Sequence, residues 1–163
     1  MRGYSLIEVL IYSTILALIA ALSAASIISS WRGFQKSRID GELARNGEFA
    51  LERITRDIRL SDNIGASSSF TLSPGILELI WGATSTKYSL SGQVLQRKEG
   101  GGVEESITSG DTRIMNLIFW NEATSSPSVS SRIIKIEFTL EAGEGALLKQ
   151  KNFFGSAVLR GQY

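Results

Sequence analysis

The hydrophobic pattern takes three forms along the chain, and each predicts a different kind of element. From Val9 to Trp31, 23 consecutive residues carry no charged side chain. At about 1.5 Å per residue a helix of that length spans roughly 34 Å, slightly more than the ~30 Å hydrocarbon layer of a bilayer, so the segment predicts a tilted transmembrane helix. Ser13, Thr14, Ser23, Ser26, Ser29 and Ser30 can bond back to the helix, and the many Ala residues permit close helix contact in lipid. Trp31 and Arg32 mark the far interface.

From Arg32 to Leu60 the period becomes helical. Ile39, Leu43, Gly47, Ala50 or Leu51, Ile54 and Ile58 recur at three- and four-residue steps and form one apolar stripe. Asp40, Glu42, Arg45, Glu48, Glu52, Arg53, Arg56, Asp57 and Arg59 fill the other faces. The same helix is thus expected to continue out of the membrane and lay its stripe on a sheet. Seven basic and five acidic residues lie in this half, with Glu52 and Arg56 at the four-residue spacing that favours an ion pair. Gly33, Gly41 and Gly47 each cost about 1 kcal/mol relative to Ala, which predicts bending or a close approach. Asn63 and Gly65 are the expected stop signal.

Beyond Phe70 short extended segments alternate with Gly, Ser and Pro. Strands are expected at Ile76–Trp81, Thr86–Leu90 and Val94–Lys98, the last two joined through Ser91-Gly92, then at Val103–Ile107, Arg113–Trp120 and Arg132–Leu140. Leu147–Leu159 supplies one or two more. Gly100–Gly102 reads as flexible and Thr124–Ser131, with Pro127, as an exposed loop. The expected fold class is α+β: a long N-terminal helix, a transmembrane half over residues 4–31 and an amphipathic half over 32–60, packed on an antiparallel β-sheet over 69–163, with 32–163 as the exported domain.

Composition then narrows the chemistry. The 163 residues include no Cys and no His, which removes disulfides, thiol nucleophiles, His general bases and Cys or His metal sites. Seventeen Lys and Arg against sixteen Asp and Glu give a net charge of +1, with no basic run beyond Arg97-Lys98, so nucleic acid is not an expected partner. Glu104, Glu105 and Asp111 form the densest acidic group in the sheet region but lack a glycine-centred calcium loop. Lys87 has hydroxyl neighbours that nothing positions as nucleophiles. Trp81, Trp120, Phe153 and Phe154 are expected as core or interface anchors. Neither enzyme activity nor a cofactor is expected.

Glu8 separates the readings of the N-terminus. A carboxylate near an apolar helix should have a partner or a task, beyond the ~0.3 to 1 kcal/mol that an acid gains from the helix dipole in the first turn. The residues also admit a single-pass anchor, or a cleaved secretory signal cut at Ala21-Leu22-Ser23 that releases a soluble β domain. Arg2 favours a cytoplasmic N-terminus, an asymmetry weakened by Arg32, Lys36 and Arg38 beyond the segment.

Gly3-Tyr4-Ser5-Leu6-Ile7-Glu8-Val9-Leu10 resembles the processing site of type IV prepilins and pseudopilins, in which a short basic leader ends in Gly, an aromatic residue follows and a Glu stands fifth in the mature chain. Leu51–Arg59, with Asp57-Ile58-Arg59, and the hairpin Tyr88-x-Leu90-x-Gly92-x-x-Leu95-x-Arg97 are similar to the minor pilins and pseudopilins of the PilW and type II secretion pseudopilin J group. The resemblance implies a leader over residues 1–3, prepilin peptidase cleavage between Gly3 and Tyr4, and N-terminal methylation of Tyr4. It also implies a filament-assembly role for Glu8 toward a neighbour's amine. The implied partners are other pilin or pseudopilin subunits, prepilin peptidase, an inner-membrane assembly platform and membrane lipid. The implied location is the cytoplasmic membrane, single-pass, with the C-terminal domain exported to the periplasm or cell surface in a pilus, secretion or competence filament.

Overall fold

The structure, a computed structural model, describes residues 5–126 and 129–159, with side chains except at 124–126 and 129–131. One helix, α1, runs from Leu6 to Leu60. Two units divide at Arg38/Ile39, inside this helix. The first holds the helix up to Arg38, where the apolar side chains from Leu6 to Phe34 are exposed. By length and composition this stretch can cross a membrane. Ser13 Oγ and Thr14 Oγ1 donate to the Leu10 carbonyl at 2.9 and 2.7 Å, satisfying their hydroxyls within the helix as a lipid environment requires.

The second unit is α+β. The strands are β1 (Asn63–Ile64), β2 (Leu77–Trp81), β3 (Thr84–Ser91), β4 (Val94–Glu99), β5 (Glu104–Ser106), β6 (Thr112–Ser126), β7 (Val129–Ala142) and β8 (Lys149–Val158), with a 3-10 turn at Gly145–Leu147. They form two antiparallel sheets, β1–β5 and β6–β8, each in chain order, where one sheet was expected. The break between them follows from local bonding. Leu95 N–H donates to Thr108 Oγ1, and Thr112 N–H donates to the Ser109 carbonyl, which turns the chain out of the first sheet. The sheets remain joined where Ile114 N–H donates to the Gln93 carbonyl at 2.8 Å. Gln93 stands in the β3–β4 hairpin, where both Gly92 and Gln93 have positive φ, as a two-residue turn between right-twisted strands requires.

The helix buries Ile39, Leu43, Gly47, Ala50, Ile54 and Ile58, the stripe read from the sequence. Against it lie Leu77, Leu79, Tyr88 and Leu95 of the first sheet and Leu117, Phe119, Ile134, Ile136, Phe138, Leu140 and Phe153 of the second. Each such side chain contributes about 1.5 to 3 kcal/mol on burial. Of the three helical glycines only Gly47 marks a close approach: a Cβ there would strike the Phe153 ring, which stacks on Phe138 at 5.2 Å, whereas Gly33 and Gly41 have open space.

Several expectations are corrected. The helix ends at Leu60 as expected, but its stop is not made by Asn63 and Gly65: the buried Ser61 donates its hydroxyl to the Ile58 carbonyl at 2.8 Å and the next residues already pair with β2. Glu52 and Arg56 form no ion pair among the described residues; Arg56 Nε instead lies 3.8 Å from Asp57. The expected loop over Thr124–Ser131 is mostly strand, since β6 reaches Ser126 and β7 begins at Val129, while Pro127 lies outside the described residues. Of the four aromatic residues expected as core or interface anchors, Phe153 is in the core, and Trp81, Trp120 and Phe154 are exposed, so none of these three is a core anchor. For Trp120 the cause is a bulge between Ile114 and Asn116. It shifts the alternation by one residue, so Leu117 and Phe119 turn inward and Trp120 outward.

Two substitutions test this packing. Gly41→Ala is expected to raise the stability of a 32–163 fragment by up to about 1 kcal/mol, since only the backbone gain applies. Gly47→Ala is expected to lower it by about 1 to 3 kcal/mol through overpacking against Phe153; urea titration followed by circular dichroism measures both. A fragment starting at Ser61, lacking the helix, is expected to aggregate where 32–163 stays soluble, as read by size-exclusion chromatography.

Candidate functional site

The hairpin residues singled out in the sequence converge on the helix. Tyr88, fully buried on β3, donates its hydroxyl to Asp57 Oδ2 at 2.7 Å. Arg97, opposite Tyr88 on β4, places Nε 3.0 Å from the same oxygen and Nη2 2.9 Å from Glu99. Asp57 and Arg97 retain only 11% and 12% side-chain exposure, so the pair is largely withdrawn from water. A small cavity of about 50 Å³ beside it is lined by Ser61, Thr84, Thr86 and Trp81 as well as the charged residues. The motif Asp57-Ile58-Arg59 divides its labour: Ile58 enters the core, Asp57 takes the hairpin, and Arg59 remains exposed.

The electrostatics match this geometry. Burial pushes the Tyr88 phenol well above its ordinary value, and its hydrogen bond to Asp57 adds to the shift. Burial works to lower the Arg97 value, but its bonds to Asp57 and Glu99 prevail and raise it, so the guanidinium stays charged. With its Oδ2 engaged twice, Asp57 acts as a clamp between the last helical turns and the hairpin. A second tie lies further up the helix, where Asn46 Oδ1 accepts from Ser109 N–H at 3.2 Å.

Glu8 is half-buried in the first turn of α1, where its N–H donates to the Ser5 carbonyl at 3.0 Å. It is the one acidic residue of that turn and sits where the helix dipole favours it. Gly3 and Tyr4, the residues expected to flank a cleavage, lie outside the described residues. No group of three or more Asp or Glu residues is arranged to hold a metal ion among the described residues. Glu104 and Glu105 are exposed on the edge strand β5, with Lys98 Nζ 3.8 Å from Glu104.

A feature that reading by sequence missed is an open groove of about 580 Å³ on the outer face of the second sheet, lined by Trp120, Phe154, Glu122, Lys135, Glu137 and Ser156. The bulge that turns Trp120 outward carries no sequence mark. The one usable signal was the adjacent pair Phe153-Phe154, which a two-residue period must split between the faces.

The fold defines an α+β protein whose single long N-terminal helix begins as a stretch apolar enough for a membrane and ends against antiparallel sheets. No protein-family model, curated protein or solved structure matched the chain.

The clamp predicts an alkaline stability loss. Because the folded-state value of Tyr88 is raised, its contribution is intact below the unfolded phenol value of about 10 and declines as pH rises above it. Tyr88→Phe is expected to flatten that decline in denaturation profiles of the 32–163 fragment. Arg97→Met, which leaves Asp57 charged and unpaired, is expected to lose about 3 to 5 kcal/mol, and the Asp57→Leu/Arg97→Met double variant to recover much of it.

Proposed function

We propose that this chain is a minor pilin or pseudopilin, a structural, non-catalytic subunit of a type IV filament, type II secretion or competence machine that primes assembly or sits at the filament tip. The observation that carries the reading is the continuity of one helix from Leu6 to Leu60, with Glu8 at its start, an uncharged apolar run behind it and an amphipathic half whose stripe is buried by sheets. An anchor for an independent domain needs none of this continuity; a linker would serve. In a filament the apolar halves pack together while the amphipathic halves carry the domains outward.

In this reading prepilin peptidase cuts between Gly3 and Tyr4, and the new amine is methylated. Glycine suits the cut because a side chain there would obstruct the protease at the backbone. Glu8 neutralises the Tyr4 amine of a neighbouring subunit, since a buried pair is tolerable where either lone charge is not. The chain lies in the cytoplasmic membrane with its N-terminus cytoplasmic and its C-terminal domain exported. It meets other pilin subunits, the inner-membrane assembly platform and lipid.

Gly3→Leu is expected to leave the longer precursor in the membrane, read by N-terminal sequencing, with Tyr4 as the first residue of the wild-type mature chain. Normal shortening of that variant overturns the cleavage assignment. Glu8→Ala is expected to insert as well as wild type, or better, and to lose co-purification with other filament subunits at equal membrane level, with Glu8→Asp intermediate. Unchanged association of Glu8→Ala returns the chain to the single-pass anchored reading, and a mature N-terminus near Ala24 to the secreted one.

A further inference from the structure

Alternation along β6, β7 and β8 places one row of residues on the face turned away from the helix. Ile118, Glu137 and Phe154 stand side by side across the three strands, and Trp120, Lys135 and Ser156 form the next row. Trp120 is 40% and Phe154 64% exposed. Lys135 Nζ is occupied by Glu122 Oε1 at 2.6 Å. Glu137, flanked by Ile118 and Phe154 with Trp120 diagonal to it, has no hydrogen-bond or ion-pair partner among the described residues. A free carboxylate in a groove also lined by exposed aromatic side chains is an environment that receives a guanidinium, through a charge-assisted hydrogen bond and cation–π contact.

The other side of the same unit carries the complement. Arg45, Phe49 and Arg56 fall within about 40° of one another around the helix and roughly opposite Gly47. All three are exposed, Phe49 at 54%. Arg45 has no ion-pair partner among the described residues, and Arg56 approaches only Asp57, at 3.8 Å. Arg45 and Arg56 against the flanking Glu52 leave one positive charge, while Glu122 and Glu137 against Lys135 leave one negative. The helix covers the inner sheet face, where Leu51 approaches Gly155 and Phe153 approaches Gly47, so the basic ridge and the aromatic-acid groove face opposite ways.

We infer that two copies of this chain associate head to tail, with the Arg45–Phe49–Arg56 ridge of one seating in the Trp120–Glu137–Phe154 groove of the other. Phe49 meets the exposed aromatic rings and an arginine meets Glu137. The contact uses different surfaces on the two copies, so each addition leaves a free ridge and a free groove, and further copies add. It requires only that two copies meet and does not rest on the filament reading.

The absence of Cys makes the test direct. Full-length Glu52→Cys/Ser156→Cys chain in its own membrane, treated with a short bis-maleimide, is expected to give a ladder of dimers, trimers and longer species, and each single-Cys variant at most a dimer. Adding Glu137→Arg is expected to reduce the ladder at least tenfold, and Arg45→Glu/Arg56→Glu on that background to restore it. Phe154→Ser, at an exposed position, is expected to reduce the ladder similarly. A double-Cys chain that stops at dimers, or a ladder indifferent to Glu137→Arg and Phe154→Ser, overturns the inference. A Ser23→Cys variant reports helix contact separately: its crosslinking to other filament subunits without a domain ladder sinks this contact and leaves the filament reading standing. A domain ladder without such subunits does the reverse.

Discussion

One helix has to satisfy two surroundings in succession, and the placement of charge along it follows from that demand. From Val9 to Ser30 the polar side chains are the hydroxyls of Ser and Thr, of which Ser13 and Thr14 bond back to the Leu10 carbonyl, and the phenol of Tyr12. By length and composition this stretch can cross a bilayer, where a charge would be stranded in hydrocarbon. After Arg38 the requirement inverts: the helix must offer one dry stripe and keep charge on the rest. The second unit is built around that stripe, because both sheets turn their apolar faces toward it. Glu8 stands out as the one acidic residue placed against the first requirement.

The Asp57 clamp fixes what apolar packing leaves loose. A stripe of Ile and Leu against a sheet tolerates sliding, since one methyl contact is much like another. A carboxylate held by a tyrosine and an arginine on paired strands has one satisfactory position. The clamp sits near the end of the helix, so it pins the last turns while the Gly47–Phe153 contact pins the middle. Its value is positional, as is common for buried ion pairs, whose net energy against an apolar replacement is small.

The apolar run, the helical stripe, the β3–β4 hairpin and most of the strands were legible in the sequence because each is a local periodicity. Ile39 to Ile58 repeat at helical spacing, and Gly92 after Ser91 marks a turn by backbone requirement. The convergence of Asp57, Tyr88 and Arg97 was legible only as separate motifs, since its ends are 40 positions apart in the chain. The division into two sheets was not legible, because it depends on a Thr108 hydroxyl accepting a backbone bond that a strand would otherwise have taken. The outward turn of Trp120 was hidden for a similar reason: one extra residue inverts a whole strand, and Met115 looks like any other β residue.

That extra residue makes length itself a heritable property of β6. Because Met115 is the unpaired residue, loss of its codon would close the bulge and leave Leu117 and Phe119 inside and Trp120 outside, whereas a codon gained or lost beyond Asn116, where every residue pairs with β7, would turn each later residue of the strand to the other face. The triplet Gly100–Gly102, in the turn before β5, can vary in number with little effect on the strands beyond it. The two places are close neighbours in the chain. Insertions and deletions should therefore accumulate at the glycines as the gene diverges, while the stretch from Asn116 to Trp120 holds its count even as its side chains change.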